Sequence, residues 1–163
     1  MDKILIGTKV VKARSMSRLE YNQYRGWELP EDEDGNDTGY LVEYLDGGKP
    51  NHADHKGYIS WSPEDIFNGS YKDVDSGVSF GDITMMAKNG HKVARKGWNG
   101  SGMFAYIVPA AEYKAQTTMI EGVFPDGLVP YRAYWALKTA QNDVATWAPS
   151  SSDSLADDWV LVE

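Results

Sequence analysis

The chain has 163 residues, 42% hydrophobic, 25% charged and 12% aromatic, a balance that excludes disordered, collagenous and coiled-coil classes and leaves a soluble globular protein. Cysteine is absent, which removes disulfides, thiolate metal sites, iron–sulfur clusters and cysteine nucleophiles together. With 16 Lys and Arg against 24 Asp and Glu the net charge is −8, the wrong sign for gripping DNA or RNA by counterion release, although a small anionic ligand needs only a few N–H groups, hydroxyls and one local cation.

In chain order, Lys3–Ala13 (KILIGTKVVKA) reads as a strand or two, interrupted by Gly7. This opening is too broken by Gly7 and Lys9 to be a signal peptide, and no apolar run approaches the ~20 residues that span a bilayer, so the expected compartment is a cytoplasm. Ser17–Tyr24 has Ser17 at the N-cap and Glu20 three residues on, a capping box, with Gly26 as the stop. Pro30–Thr38 carries Glu31, Asp32, Glu33, Asp34 and Asp37 without an apolar member and reads as a solvated or locally disordered loop. Gly39–Leu45 and Gly57–Trp61 alternate as an antiparallel strand pair around the loop Asp46–Lys56, and Ser62-Pro63-Glu64-Asp65 opens a helix with Ser62 as cap and Pro63 at its first position.

A polar, Gly-containing stretch follows, so the expected organisation is a small α+β domain over residues 1–72, a linker over 73–78 and a second domain over 79–163. The second domain starts with Ser79-Phe80-Gly81-Asp82, an N-cap signal for a helix with Ile83, Met86 and Ala87 on one face and Asn89-Gly90 as its stop. Lys92–Lys96, Met103–Val108, Tyr131–Thr139, Val144–Trp147 and Trp159–Val162 read as strands, the third and fourth joined through Gln141-Asn142-Asp143; Ser152–Ala156 is one helical turn. The expected fold class is α+β, two small domains, the C-terminal one an antiparallel sheet packed with one main helix.

Little in this pattern spells catalysis. His52-Ala53-Asp54-His55 places three donors within four residues, too cramped for a good tetrahedral site, and reads as a polar loop. No serine stands in a G-x-S-x-G setting, and Asp157 and Asp158 read as turn or cap residues. The aromatics say more. Trp61, Trp135 and Trp159 sit inside strand patterns and read as core. Trp98, between Gly97 and Asn99-Gly100, either projects from its turn to stack on a planar ligand or anchors that turn on the core. Thr146–Asp153 sets Trp147 beside Ser150, Ser151 and Ser152, either as a cradle for an anionic group or as an N-cap following a strand.

Four marks in order, SFGDITMMAKNGHKVARKGWNG, the ALKTA segment, VATWAPSSSD and LADDW, make residues 79–163 resemble the phage-encoded Thoeris anti-defence proteins of type two. The resemblance implies a sponge rather than an enzyme: such proteins bind the cyclic ADP-ribose isomers, such as glycocyclic ADP-ribose, that bacterial TIR proteins make, and hold them undegraded in the host bacterial cytoplasm. Some also take up cyclic dinucleotides, and they assemble as homotetramers with ligand between protomers. By this resemblance Trp98 stacks on the base and Asn99 hydrogen-bonds the ligand; Thr139, Thr146, Ser150, Ser152 and Asp153 serve ribose and phosphate; Phe104, Tyr106, Tyr131 and Trp147 line the walls. A sponge needs no catalytic residue, and beyond the resemblance the negative charge, the cramped histidine cluster and the lack of a long apolar run leave no DNA, RNA, metal, cofactor or membrane partner expected. The competing expectations are an enzyme that cleaves the same signal and an acidic inhibitor of a host protein. Residues 1–72 resemble a small phage-encoded segment to which no function attaches.

Overall fold

The computed structural model describes every residue except Met1, Asp2, Ile6 and Thr8. The chain divides into two compact units, Met1–Tyr71 and Lys72–Glu163.

In the first unit, β1 (Val11–Ser15), β2 (Gly39–Tyr44) and β3 (Ile59–Pro63) form an antiparallel sheet in that order. The strand expected over Lys3–Ala13 begins only at Val11 and runs on to Ser15; Ile6 and Thr8 of that stretch lie outside the described residues. Between β1 and β2, α1 (Arg18–Arg25) starts at the Ser17 capping box and ends at Gly26, whose φ of 68° is the left-handed geometry that terminates helices. Its Tyr21 is buried with Leu41 and Ile59 on one face of the sheet, bordered by Met16, Tyr24 and Trp61. Strand alternation sends Tyr40 and Val42 to the other face, where α2 (Glu64–Ser70) stacks Phe67 on Tyr40 with centroids 4.2 Å apart. The helix starts one residue later than expected. Ser62 and Pro63 remain in β3, and the main chain and side chain of Glu64 meet the carbonyl and hydroxyl of Thr38 instead.

The acidic loop Pro30–Thr38 is tied down rather than loose. Glu33 pairs with Arg18, whose guanidinium also lies 5.0 Å over the Trp61 ring, and the main chain of Arg18 and Leu19 donates to Asp37 and Gly35. An aromatic-backed cation together with these main-chain bonds fixes a segment that composition alone marks as solvated.

In the second unit α3 (Phe80–Lys88) is capped by the Ser79 hydroxyl, and β4 (Lys92–Arg95), β5 (Phe104–Val108), β8 (Tyr134–Lys138), β9 (Val144–Thr146) and β10 (Trp159–Val162) form one antiparallel sheet in the order β10-β4-β5-β8-β9. The register aligns Leu161, Val93, Ala105, Leu137 and Ala145 across one face. There Ile83, Met86 and Ala87 of α3 close the core over Val93, Ala105 and Trp159, all buried. A short α4 (Ser151–Ser154) precedes β10.

One expected strand is split. Tyr131 belongs to β7 (Leu128–Tyr131), which pairs with β6 (Ala111–Lys114) as a separate two-stranded ribbon, and only from Tyr134 does the chain join the main sheet. Pro130, which has no N–H to donate to a ladder, sits in this ribbon.

Two glycines of the first unit separate steric need from conformational freedom. A Cβ on Gly57 would lie 2.0 Å from the Tyr44 carbonyl oxygen, whereas one on Gly69 in α2 would meet nothing within 4 Å. Gly57→Ala is expected to destabilise the chain by about 1–3 kcal/mol through overpacking, and Gly69→Ala to stabilise it by about 0.5–1 kcal/mol through helix propensity; urea unfolding midpoints of both variants check the opposite signs.

Candidate functional site

The face of the main sheet under α3 ends in an indole cluster. Trp159, fully buried, starts β10 opposite Arg95, and Trp135 in β8 shares its face. Phe80 of α3 packs on both, at 5.4 Å and 5.9 Å between centroids. Trp147, just past β9, meets Trp135 edge to face at 5.6 Å and lies 6.1 Å from Trp159. Trp98 completes the cluster at its rim, edge to face with Trp159 at 5.4 Å and with Trp147 at 5.9 Å. Trp98 is thus a half-buried ring anchored on the core, with exposed Asn99 next to it, rather than a ring projecting free of its turn.

A polar network holds this rim. Arg95 donates from Nε to Asp158 Oδ1 at 2.7 Å and from Nη1 to Asp153 Oδ1 at 3.0 Å. The second oxygen of Asp158 accepts the Gly97 N–H at 3.0 Å, which fixes the turn that carries Trp98. Asp153 also closes a capping box, its Oδ2 accepting the Ser150 hydroxyl at 2.6 Å and the Ser150 N–H at 3.0 Å, and its carbonyl accepts the Trp159 indole N–H at 3.0 Å. The Ser150 hydroxyl and the start of α4 are therefore engaged as a cap, with Ser152 Oγ 2.9 Å from Ser150 Oγ at the exposed edge.

The electrostatics follow from these bonds. Arg95 holds Asp158 below the ordinary carboxylate range, with help from the Gly97 N–H against partial desolvation. Partial burial pushes Asp153 up, but the Ser150 hydroxyl, Arg95, the Ser150 N–H and the Trp98 indole together outweigh it and leave the carboxyl low. Arg95 in turn is raised by Asp158 and Asp153. Both acids stay ionised and paired at neutral pH, so the cluster presents rings and hydroxyls more than free charge.

Of the residues singled out from the sequence, Trp98, Trp147, Ser150, Ser152 and Asp153 gather at this rim. The turn bearing Asn99 also lies against the β8–β9 turn, where a Cβ on Gly100 would be 3.0 Å from Ala140, and there Thr139 bonds Asp143. Phe104, Tyr106 and Thr146 belong to the opposite face of the sheet, since Tyr106, Ala136 and Thr146 align in register one residue out of step with Ala105 and Leu137. Tyr131 stands apart on the ribbon, its ring 6.0 Å from Tyr113. Arg95 was not singled out from the sequence, and Asp158 was read only as a turn or cap residue, which its bond to the Gly97 N–H fits. They lie 63 residues apart, and only the β4–β10 pairing joins them.

The His52-Ala53-Asp54-His55 cluster is turned to packing. His52 stacks on Tyr24 at 4.5 Å, His55 Nε2 is 2.9 Å from the Tyr24 hydroxyl, and His55 Nδ1 is 3.0 Å from Glu43 Oε2 but out of hydrogen-bond alignment. Among the described residues no group of three or more His, Asp or Glu is arranged to hold a metal ion, and no helix is long and apolar enough to cross a membrane.

Because Asp158 and Asp153 titrate low when folded, their stabilisation is present above the unfolded carboxylate pKa of about 4 and is lost as pH falls through the lowered folded values. The stability gap between the parent chain and Asp158→Asn is expected to be widest at neutral pH and to close in acid; urea unfolding between about pH 7 and about pH 2 measures it.

Residues 78–162 match the family model described as the Thoeris anti-defense 2-like domain. Over 85 residues the chain is 33% identical to the protein named Thoeris anti-defense 2 of Bacillus phage SP01, an alignment covering 52% of this chain and 94% of that protein. The aligned stretch takes in α3, all five strands of the main sheet, the indole cluster and its Arg95 network. On this match over more than half its length, the chain belongs to the Tad2-like, or Thoeris anti-defense 2-like, family.

Proposed function

We propose that this chain is a phage protein that binds and sequesters a cyclic ADP-ribose isomer made by a bacterial TIR immune protein, without degrading it, in the cytoplasm of the infected host. The observation that carries this reading is the Trp98 ring, held half-buried at the rim of the indole cluster beside exposed Asn99 and the Ser150–Ser152 hydroxyls. An adenine base stacks on such a ring, and riboses and phosphates take hydroxyl and amide partners. A fixed ring loses little entropy when ligand arrives, which favours the tight binding a titrating protein needs; nanomolar affinity corresponds to about −12 kcal/mol.

Sequestration is favoured over cleavage by the state of the acids. Asp153 and Asp158 are both committed to Arg95 and held low, so neither is a proton donor at neutral pH. The wall residues Phe104, Tyr106 and Thr146 lie across the sheet from Trp98, so one ligand meets both sets only when it is held between protomers. A homotetramer with ligand at its interfaces supplies that arrangement, with Thr139 and Tyr131 at protomer edges. The same enclosure suits a cyclic dinucleotide, which has two bases to stack.

The test is to incubate the purified chain with cyclic ADP-ribose isomers and cyclic dinucleotides and to quantify free nucleotide by chromatography before and after heat denaturation. Depletion reversed intact by heat is the expected result. A new product makes the protein an enzyme, and no depletion of any nucleotide removes the reading in favour of an inhibitor of a host protein. Trp98→Ala is expected to weaken capture about ten- to a hundredfold, since a base–aromatic stack is worth ~1–3 kcal/mol, and Trp98→Phe to weaken it less. Because the relative is matched along nearly its whole length by the second unit alone, a chain lacking residues 1–72 is expected to capture nucleotide with unchanged stoichiometry per protomer.

A further inference from the structure

The first unit, outside the region matched to the family, carries an open cleft of about 550 Å³ walled by Tyr44, Tyr58 and Tyr71, with Asp46, Ser60 and the main chain of Gly47-Gly48 around it. Its walls are set by the sheet and α2. Tyr44 at the end of β2 takes a main-chain bond from its N–H to the Tyr58 carbonyl at 3.0 Å, and the two rings stand 6.4 Å apart at 42°. Tyr71, at the end of α2, is the third ring of a stack in which Phe67 lies 4.2 Å from Tyr40 and 4.9 Å from Tyr71. Gly47 and Gly48 have φ of 129° and 98°, conformations that L side chains rarely adopt, and they keep the loop side of the cleft free of side chains.

A cation already sits here. The Lys9 ammonium lies 5.2 Å from the Tyr44 ring centroid and 3.9 Å from Asp46 Oδ1, with both side chains more than a third exposed. We propose that this cleft is a binding site for a small organic ammonium ion, and that Lys9 is a built-in occupant that such a ligand displaces.

Three features select that ligand class. Tyrosine faces carry negative quadrupole charge and attract ammonium groups, alkylated ones above all because they are weakly hydrated. Asp46 supplies the counter-charge, and burial, with the Tyr44 phenol and Asp46 beside it, pushes the Tyr71 phenol up, so that ring stays neutral. The chain as a whole carries −8, which concentrates small cations and repels anions. The volume lies within the range of small-molecule sites. This site is independent of nucleotide capture by the second unit.

The probe is choline, compared with its neutral isostere 3,3-dimethylbutan-1-ol, titrated into the full ¹⁵N-labelled chain and followed by amide shifts. Choline is expected to perturb the residues around Tyr44, Tyr58 and Gly48 and to bind about tenfold more tightly than the alcohol. Lys9→Met, which removes the internal competitor, is expected to tighten choline binding about three- to tenfold, and Tyr58→Ala to weaken it by a similar factor. Saturable choline binding seen only in Lys9→Met supports the proposal, because the built-in cation then masks the site. No binding by either chain, equal binding of the alcohol, or choline affinity unchanged in a folded Tyr58→Ala chain overturns it. Amide dispersion of each variant confirms that the first unit is folded.

Discussion

Burial of the Trp159 indole is the constraint on which the second unit depends. An indole out of water must find a partner for its N–H, and this one donates to the Asp153 carbonyl at 3.0 Å, which ties the α4 turn to the first residue of β10. The same residue bridges to Val78 on one side and faces Arg95 in the neighbouring strand on the other. Phe80, Trp98 and Trp147 then close around the ring. The helix, the sheet edge, the Trp98 turn and the C-terminal cap thus all meet at one side chain.

Charge is placed to complement that ring. Arg95 engages Asp153 and Asp158 at once, so one cation fixes both the capped turn and the loop of Gly97. The first unit solves a similar problem in the same way, with Arg18 joining an acidic loop to α1 over the Trp61 ring. In both units a planar guanidinium ties a segment outside the sheet to its neighbour, the acidic loop through Arg18 and the α4 turn through Arg95 and Asp153.

The two faces of the main sheet divide the labour. One is filled by α3 and the indoles; the other carries Phe104 and Tyr106, rings 5.9 Å apart, with Tyr134 and Val144 exposed beside them. A ligand site drawing on both faces requires more than one copy of the chain, which is why the proposed sponge is also an assembly. The exposed Tyr113, Met119 and Val123 of the β6–β7 ribbon and its loop add apolar surface of the kind that association buries.

Local signals in the sequence were sufficient for the capping box at Ser17, the Ser79 cap, the stops at Gly26 and Asn89-Gly90, and the strands whose side chains alternate. Each depends on residues within one turn of one another, where spacing alone decides which groups meet. The late start of α2, the split at Tyr131 and the pinning of the acidic loop depended on partners outside that range: Thr38, the β6 strand and Arg18. The resemblance over residues 79–163 pointed to Trp98, yet whether its ring stood free or packed was decided by Trp147 and Trp159, and Arg95 and Asp158 became partners only through strand register across 63 residues. Sequence by itself determined the family and most elements, but not the β6–β7 ribbon, because caps, alternation and motif order are short-range properties of the chain. Tertiary structure alone decided which rings share a face and which charges neutralise each other, because those follow from pairing between strands far apart in the chain.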